Sequence, residues 1–342
     1  MLALEHWHIE PSSKCTLRCP RCPRLEVPDS LLHKQLDLDF FKNQLGQLWI
    51  NKLQRVTFCG NDGDPIYCRD LIEICKWIKK QKSTVSIVIV TNGSYKNAIW
   101  WQQLAEILNE HDEIHWSLDG IDQATNEKYR VNCNWDSIIQ GVKVFRMHNT
   151  DTYTVWASIA FRFNENLIEQ QKQKAQQLDF DLFQLTLSTK FGSHYPDAYG
   201  KNDLLQPTNP ALISSSHRFE RSTTNLSKRP RPGAVLRNLY LSRVQKIDKH
   251  NSYPALCAVG TKGVFLNSRG EFYPCCWTAN RYEHNKNWMN LADTKFNLYK
   301  RTYNEITKDS FWDNEFQKFN SLECETKCTR ARLLDLEHSL EW

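Results

Sequence analysis

From residue 4 to about 190, short runs of β-branched and aromatic residues alternate with longer stretches whose apolar positions recur every three or four residues. The strand-type runs are HWHIE (6–10), RVTFC (55–59), VSIVIVT (85–91), EIHWSL (113–118), YTVWASIAF (153–161) and FQLTLS (183–188). Between them the helical period predicts helices over 38–50, 68–81, 96–110, 122–147 with an interruption near Asn132–Asn134, and 165–178, whose exposed face carries Gln and Lys. Six strands separated by helices read as repeated βα units around a mainly parallel sheet, so the expected class is α/β.

After Thr189 the rhythm stops, and residues 190–255 turn rich in Ser, Thr, Asn, Pro and basic side chains, which predicts a long connection with one helical piece near 234–246. Lys228, Arg229, Arg231, Arg237 and Arg243 crowd one part of it. Such a group suits a phosphate or an acidic peptide, or else is a solvated basic loop. Further on, TKGVFLNSRGEFYPCCW reads as a hairpin turned at Ser268-Arg269-Gly270, followed by amphipathic helices near 293–305 and 310–320.

Composition narrows the class. A chain of 342 residues with 12 Trp, 16 Phe and 12 Tyr buries a full core and is not disordered. No run of 18 apolar residues exists, which excludes a spanning helix, and no apolar stretch follows a basic start as a secretion signal requires. The 12 cysteines are therefore read in a reducing, cytoplasmic setting, where clustered thiols serve as metal or cluster ligands more often than as bridges. A net charge of +5 names no partner.

The first cysteine cluster is C-x3-C-x2-C at Cys15, Cys19 and Cys22, directly after the first strand. Three thiolates leave a tetrahedral metal one ligand short, but on a four-iron cubane they leave one iron open to a substrate or cofactor. A zinc site or buried free thiols is the alternative. The loop also lies at the carboxyl end of the sheet, where α/β folds place their active sites. In spacing and position it resembles the cluster loop of the radical S-adenosylmethionine (radical SAM) enzymes. The resemblance implies that Cys15, Cys19 and Cys22 hold a 4Fe-4S cluster whose fourth iron chelates SAM by its amino and carboxylate groups. The family often has an aromatic residue just before the third cysteine, where this chain has Arg21.

Further motifs sit at strand ends. FCGNDGDPIYC follows the second strand, and its Gly60, Asn61, Asp62, Gly63, Asp64 and Pro65 are similar to the family's GGEP motif, which binds the SAM amino group, in a longer G-N-x-G-D-P form. Alone, such a stretch is as readily an ordinary turn. Asn92 with Gly93 closes the third strand, as a ligand contact or a plain turn. The resemblance extends to Ser117 and Asp119 after the fourth strand as polar residues near SAM, to Arg130 as partner of the SAM carboxylate, and to Asn164 as a contact to the ribose or methionine part. It implies a partial (β/α)6 barrel over residues 4 to about 190, in line with the six strands read independently.

The second cluster reads C-x12-G-x4-C from Cys257 through Gly270 to Cys275, then Cys324-x3-Cys328. Four thiolates close a cubane or a zinc site, and spacing alone does not choose. The pattern resembles the opening of the SPASM and twitch extensions of radical SAM enzymes, and with only a C-x3-C end visible it is closer to the twitch form, which carries one auxiliary 4Fe-4S cluster. Cys276 is a spare thiol there; Cys59, Cys68, Cys75 and Cys133 read as packing residues.

Together these readings expect a radical SAM barrel at 1–190, a connection at 191–255 and a twitch/SPASM-like auxiliary-cluster domain at 256–342. The expected enzyme cleaves SAM reductively to a 5′-deoxyadenosyl radical and takes hydrogen from a substrate, with a flavodoxin or ferredoxin as external one-electron donor. A peptide or protein side chain is the favoured substrate, although a cluster beginning at residue 15 leaves no room for a preceding peptide-recognition domain. Alternatives are a phosphate-bearing nucleotide or cofactor precursor held by 228–243, and a metal-bearing nucleic-acid-binding module. The module has no use for a three-cysteine site beside a SAM-type turn, so nucleic acid is the least expected partner.

Overall fold

The computed structural model describes residues 4–26, 32–192, 203–214, 220–232, 263–281 and 285–316. In chain order its main elements are β1 (His6–Ile9), α1 (Gly46–Lys52), β2 (Arg55–Phe58), α2 (Leu71–Gln81), β3 (Ser86–Thr91), α3 (Ala98–Ala105), β4 (Glu113–Ser117), α4 (Gln123–Asn126), α5 (Trp135–His148), β5 (Tyr153–Ile159), α6 (Ile168–Gln177), β6 (Leu182–Leu187), β7 (Glu220–Asn225), β8 (Val264–Leu266), β9 (Phe272–Tyr273), α7 (Lys286–Thr294), α8 (Tyr303–Thr307) and α9 (Phe311–Asn314). All six expected strands form, and pairing is predominantly parallel, so the class is the α/β one the periodicity indicates.

The chain divides into two compact units, Met1–Lys14 with Asp29–Val88 and Pro232–Trp342, and Cys15–Pro28 with Ile89–Arg231. In the first, β1 pairs in parallel with β2 on one side and with β8 on the other, and β8 pairs antiparallel with β9. The expected hairpin is thus present, and it adds itself to β1; Gly270 supplies its turn with φ +76°, and a Cβ there would lie 2.6 Å from the Tyr299 ring. The core of this unit is aromatic: Trp7 meets Trp49 and Phe272 edge-on with ring centres 6.0 and 5.4 Å apart.

In the second unit β4, β5 and β6 run parallel, with Trp116 beside Trp156 and Gln184 beside Ala157, and β7 closes the edge antiparallel to β6. Helix α5 packs on α3 where Gly141 lies against Trp101; a Cβ at Gly141 would come within 2.3 Å of the indole nitrogen. The interruption expected near Asn132–Asn134 is real: Asn132 sits at φ +70° and the Asn134 side chain caps α5 by accepting from Ser137 N at 2.9 Å.

Three elements differ from expectation. The helix expected over 38–50 contains a π-helical turn at Phe41–Leu45 before α1. Strand β7 falls within the expected connection because ERSTTN has no apolar alternation; both its faces are half-buried or exposed, as an edge strand allows. The helix expected over 293–305 is instead α7 ending at Thr294 and α8 beginning at Tyr303, because Asn297 turns the chain by accepting from Tyr299 N at 2.9 Å and Thr302 with Glu305 forms a capping box that starts α8. The helix expected at 234–246 lies outside the described residues, as does the end of the one expected at 310–320, of which α9 is the described part.

Candidate active site

In the first unit β1 ends on Glu10, whose carboxylate is 1 % exposed. Its Oε1 accepts from Asp62 N at 2.6 Å and Gly63 N at 3.0 Å, so the glycine turn after β2 is hung on the end of β1. Both glycines are demanded by space: a Cβ on Gly60 would lie 2.4 Å from Gly63 O, and one on Gly63 would lie 1.9 Å from Ser12 O. Asp64 donates its N–H to Lys14 O at 2.9 Å and caps the Pro65–Tyr67 turn through Ile66 N at 3.2 Å. The two remaining residues face the hairpin segment: Asn61 Nδ2 donates to Cys276 O at 3.0 Å, and Asp62 Oδ1 receives Arg281 Nε and Nη2 at 3.2 and 3.1 Å.

Burial raises the Glu10 carboxyl to about 8, the neighbouring Asp62 adds to this, and the two backbone N–H groups and Arg269 only partly oppose it. The folded pKa therefore lies above the unfolded one, and Glu10's contribution to stability is fully present below about pH 4.5 and is lost as pH rises through about 8. Across that window it contributes a fall of up to about 1.4 kcal/mol per pH unit. A denaturation series from pH 5 to 8 should show the decline, and Glu10→Gln should flatten it; equal slopes in the two proteins would contradict the assignment.

In the second unit the cysteine loop is held from several directions. Cys19 is buried while Cys15 and Cys22 are half-buried. Arg24 reaches back to donate to Cys15 O at 2.9 Å and to Leu17 O, fixing the loop's carbonyls. Arg18 N donates to Val131 O at 3.0 Å and Asn132 Nδ2 to Thr16 O at 2.8 Å, so the stretch between α4 and α5 supports the loop. Asn92 Nδ2 stands 3.7 Å from Cys15 Sγ, and its Oδ1 accepts from Ser94 N at 2.9 Å. Gly93 has φ +74° and a Cβ there would meet Trp116 at 2.8 Å, so the close turn needs glycine. Arg21 is buried and paired with Asp203.

Beside Cys19 lies a charged pair. Arg130 Nε donates to Asp119 Oδ2 at 2.6 Å, while Asp119 Oδ1 accepts from Ile159 N at 2.7 Å. Burial raises the Asp119 carboxyl, and Arg130 and the Ile159 N–H pull it back. Burial also works against the Arg130 charge, but Asp119 and the Cys19 sulfur outweigh it and raise its pKa. Cys19 itself is pushed up to about 12 by burial, against the pull of Arg130, so its ionisation needs more positive charge at the sulfur than the protein supplies. Cys22 and Cys15 push the Cys19 thiol in the same direction as burial does. Among the described residues no three His, Cys, Asp or Glu side chains are placed to share a single metal ion; a cubane asks less, since each thiolate binds a different iron.

Asn164 is 0 % exposed and is spent on the backbone: Nδ2 donates to Asp119 O and Ile159 O, both at 2.8 Å, and Oδ1 accepts from Phe161 N at 2.8 Å. It holds the turns that carry Asp119. Ser117 ends β4 half-buried. Asn126, Glu10, Arg24 and Arg281 also serve the site, and no motif in the sequence marks them. Asn126 Oδ1 accepts from Asp119 N at 2.9 Å and Gly120 N at 3.2 Å, a role that only the neighbouring Asp119-Gly120 turn hints at. The basic stretch changes character too. Arg231 Nη2 pairs with the fully buried Glu113 at 3.0 Å, and Arg229 Nη1 donates to Thr150 O at 2.7 Å and lies 3.4 Å from Asp181, so both anchor the chain. Arg237 and Arg243 lie outside the described residues, as do Cys257, Cys324 and Cys328; Cys275 is buried 3.8 Å from Thr278 Oγ1. No described helix is long and apolar enough to cross a membrane.

Comparison with known proteins gives three findings. Residues 9–169 match the family model of the radical SAM superfamily. Among solved structures, the chain is similar to Streptococcus suis SuiB bound to S-adenosylmethionine, with TM-score 0.60 and 14 % identity over 97 % of this chain and 71 % of that one. It is also similar to native anSMEcpe with bound AdoMet and Kp18Cys peptide, with TM-score 0.51 and 15 % identity over 96 % of this chain and 87 % of that one, and to the same enzyme with Cp18Cys peptide at TM-score 0.50, 15 % identity and the same coverage. At these identities the likeness is one of fold. No curated protein matches the sequence. The span 9–169 that matches the family model contains the cysteine loop, the glycine turn and the Asp119–Arg130 pair, and the parallel-dominated sheet matches the radical SAM partial-barrel fold.

Proposed function

We propose that the chain is an enzyme that cleaves SAM reductively and abstracts hydrogen from a peptide or protein side chain. The observation that carries the reading is the buried Cys19 thiol with the Arg130–Asp119 pair at its side, in a loop whose three cysteines lie within the radical SAM span. When bound, a 4Fe-4S cluster with SAM at its open iron supplies the 5′-deoxyadenosyl radical by taking one external electron. Cys15, Cys19 and Cys22 would hold the cluster. Gly60, Asn61, Asp62, Gly63, Asp64 and Pro65 would form the turn for the SAM amino group, with Glu10 and Arg281 fixing its shape. Arg130, oriented by Asp119, would meet the SAM carboxylate; Asn92 and Ser117 would line the same region, and Asn164 would act by holding Asp119 in place.

The peptide substrate is supported by the folds the chain is similar to, since anSMEcpe is described with a bound peptide. A phosphate-bearing substrate is less well served, because Arg229 and Arg231 are already engaged with Asp181 and Glu113. Cys257, Cys275, Cys324 and Cys328 would hold an auxiliary 4Fe-4S cluster in a domain at 256–342, joined to the barrel at 1–190 by the connection 191–255. A flavodoxin or ferredoxin would deliver the electron. Incubating the anaerobically reconstituted protein with SAM and dithionite should yield 5′-deoxyadenosine and methionine, and Cys19→Ala should abolish both. Salt-sensitive nucleic-acid binding with no SAM cleavage would overturn the reading.

A further inference from the structure

In the first unit a cavity of about 580 Å³ opens beside the hairpin turn, between Ser268 and Arg269, the 32–35 segment and the part of α7 that carries Met289 and Asp293. That is room for a small ligand or for one side chain of a longer one. Arg281, which holds Asp62 of the glycine turn, forms part of the wall, so cavity and turn share a guanidinium. The charges of the lining do not balance. Lys34, Arg269 and Arg281 face Glu271 and Asp293, while the partners just behind them, Asp62 on Arg281 and Lys300 on Asp293, cancel each other, so one positive charge is left over. Arg269 gives Nε and Nη2 to Glu271 at 2.9 and 2.8 Å, and the surplus falls to Lys34, whose exposed side chain has no ion pair among the described residues. Donors are in surplus as well. Arg269 Nη1 has only Asp62 Oδ2 at 3.9 Å, beyond hydrogen-bond reach. Ser268 is 2 % exposed, and its side chain, which lines the cavity, makes no hydrogen bond among the described residues. The buried carboxylate of Glu271, by contrast, is satisfied by Tyr273 and Asn267 as well as by Arg269. A hydroxyl kept from water without a partner costs folding free energy that a ligand oxygen would recover.

We infer that this cavity is a binding site for a carboxylate, with Lys34, Ser268 and Arg269 Nη1 as its donors; that the carboxylate belongs to an acidic side chain of the peptide substrate rests on the function proposed above. One surplus positive charge matches a monoanion and leaves a phosphate dianion half uncompensated, with the fixed Glu271 charge nearby to oppose it. Charge-assisted hydrogen bonds are about twice as strong as neutral ones, so the site tells Glu from Gln by charge rather than by shape. Leu32, Met289 and Tyr299 supply apolar wall for the methylenes of such a side chain.

The test is isothermal titration calorimetry of the reconstituted protein, without SAM, against two capped pentapeptides, Ala-Ala-Glu-Ala-Ala and Ala-Ala-Gln-Ala-Ala, and against inorganic phosphate. The Glu peptide should bind about tenfold more tightly than the Gln peptide. Lys34→Ala and Ser268→Ala should each weaken the Glu peptide severalfold and leave the Gln peptide unchanged, and Lys34→Glu should weaken the Glu peptide further. Neither side chain holds the fold by a hydrogen bond or ion pair among the described residues, so both proteins should unfold at the native midpoint; if Ser268→Ala does not, the exposed Lys34 series decides alone. Lys143→Ala removes the same charge from the exposed side of α5 and should change nothing. No binding of the Glu peptide, equal binding of the two peptides, Lys34 variants that bind as the native protein does, a loss at Lys143→Ala as large as at Lys34→Ala, or phosphate bound more tightly than the Glu peptide would overturn the inference. A protein that binds the Glu peptide as expected but cleaves no SAM when dithionite is added would instead sink the proposed function and leave the carboxylate site standing.

Discussion

Gly63→Ala should be the most damaging single substitution in the glycine turn, costing about 3 kcal/mol or more and abolishing SAM binding. The added methyl would lie 1.9 Å from Ser12 O and 2.7 Å from two backbone carbons, and backbone, unlike the end of a flexible side chain, has nowhere to retreat. To make room, the turn must leave Ser12 and drop the bonds from Asp62 N and Gly63 N to Glu10 Oε1, leaving a buried carboxyl oxygen without both donors. A fall in the thermal unfolding midpoint together with the loss of SAM uptake is the expected result. A variant as stable as the native protein that still takes up SAM would remove the turn from the site.

The second large effect is expected at Asp119. This carboxylate is 0 % exposed and joins Arg130, the N–H of Ile159 and, through its backbone, Asn126 and Asn164. Asp119→Ala leaves a largely buried guanidinium and a backbone donor without their partner, which costs about 3–5 kcal/mol for a broken buried pair. Asp119→Asn keeps the shape and one acceptor, so it should cost less, while still releasing Arg130. Urea denaturation of the three proteins should rank them native, Asn, Ala, and SAM cleavage should fall in both variants. A native-like unfolding midpoint for Asp119→Ala would contradict the pair's structural role.

Strands β1 to β6 were legible because each is an apolar run flanked by helical period, and burial on both faces leaves the strongest sequence signal. Strand β7 was not, since a polar edge strand gains its stability from the β6 ladder and not from its own side chains. The same division holds at the site. Cysteine spacing, the glycine turn and the Asp119-Gly120 corner are local features, and the sequence carries them. Glu10 beneath the turn, Arg281 on Asp62 and Asp203 on Arg21 are partners 52, 219 and 182 residues apart in the chain, and no local pattern announces such a pairing. Arg229 and Arg231 make the same point from the other side: a basic stretch that looked like a ligand site has its charges turned onto buried acids.

The most direct test of the central claim is the iron and acid-labile sulfide content per chain after anaerobic reconstitution, in the native protein and in a Cys15/Cys19/Cys22→Ala variant. One SAM-binding and one auxiliary cubane predict about eight irons in the native protein and about four in the variant. Zinc in place of iron, or a variant that keeps the full native iron count, would contradict it.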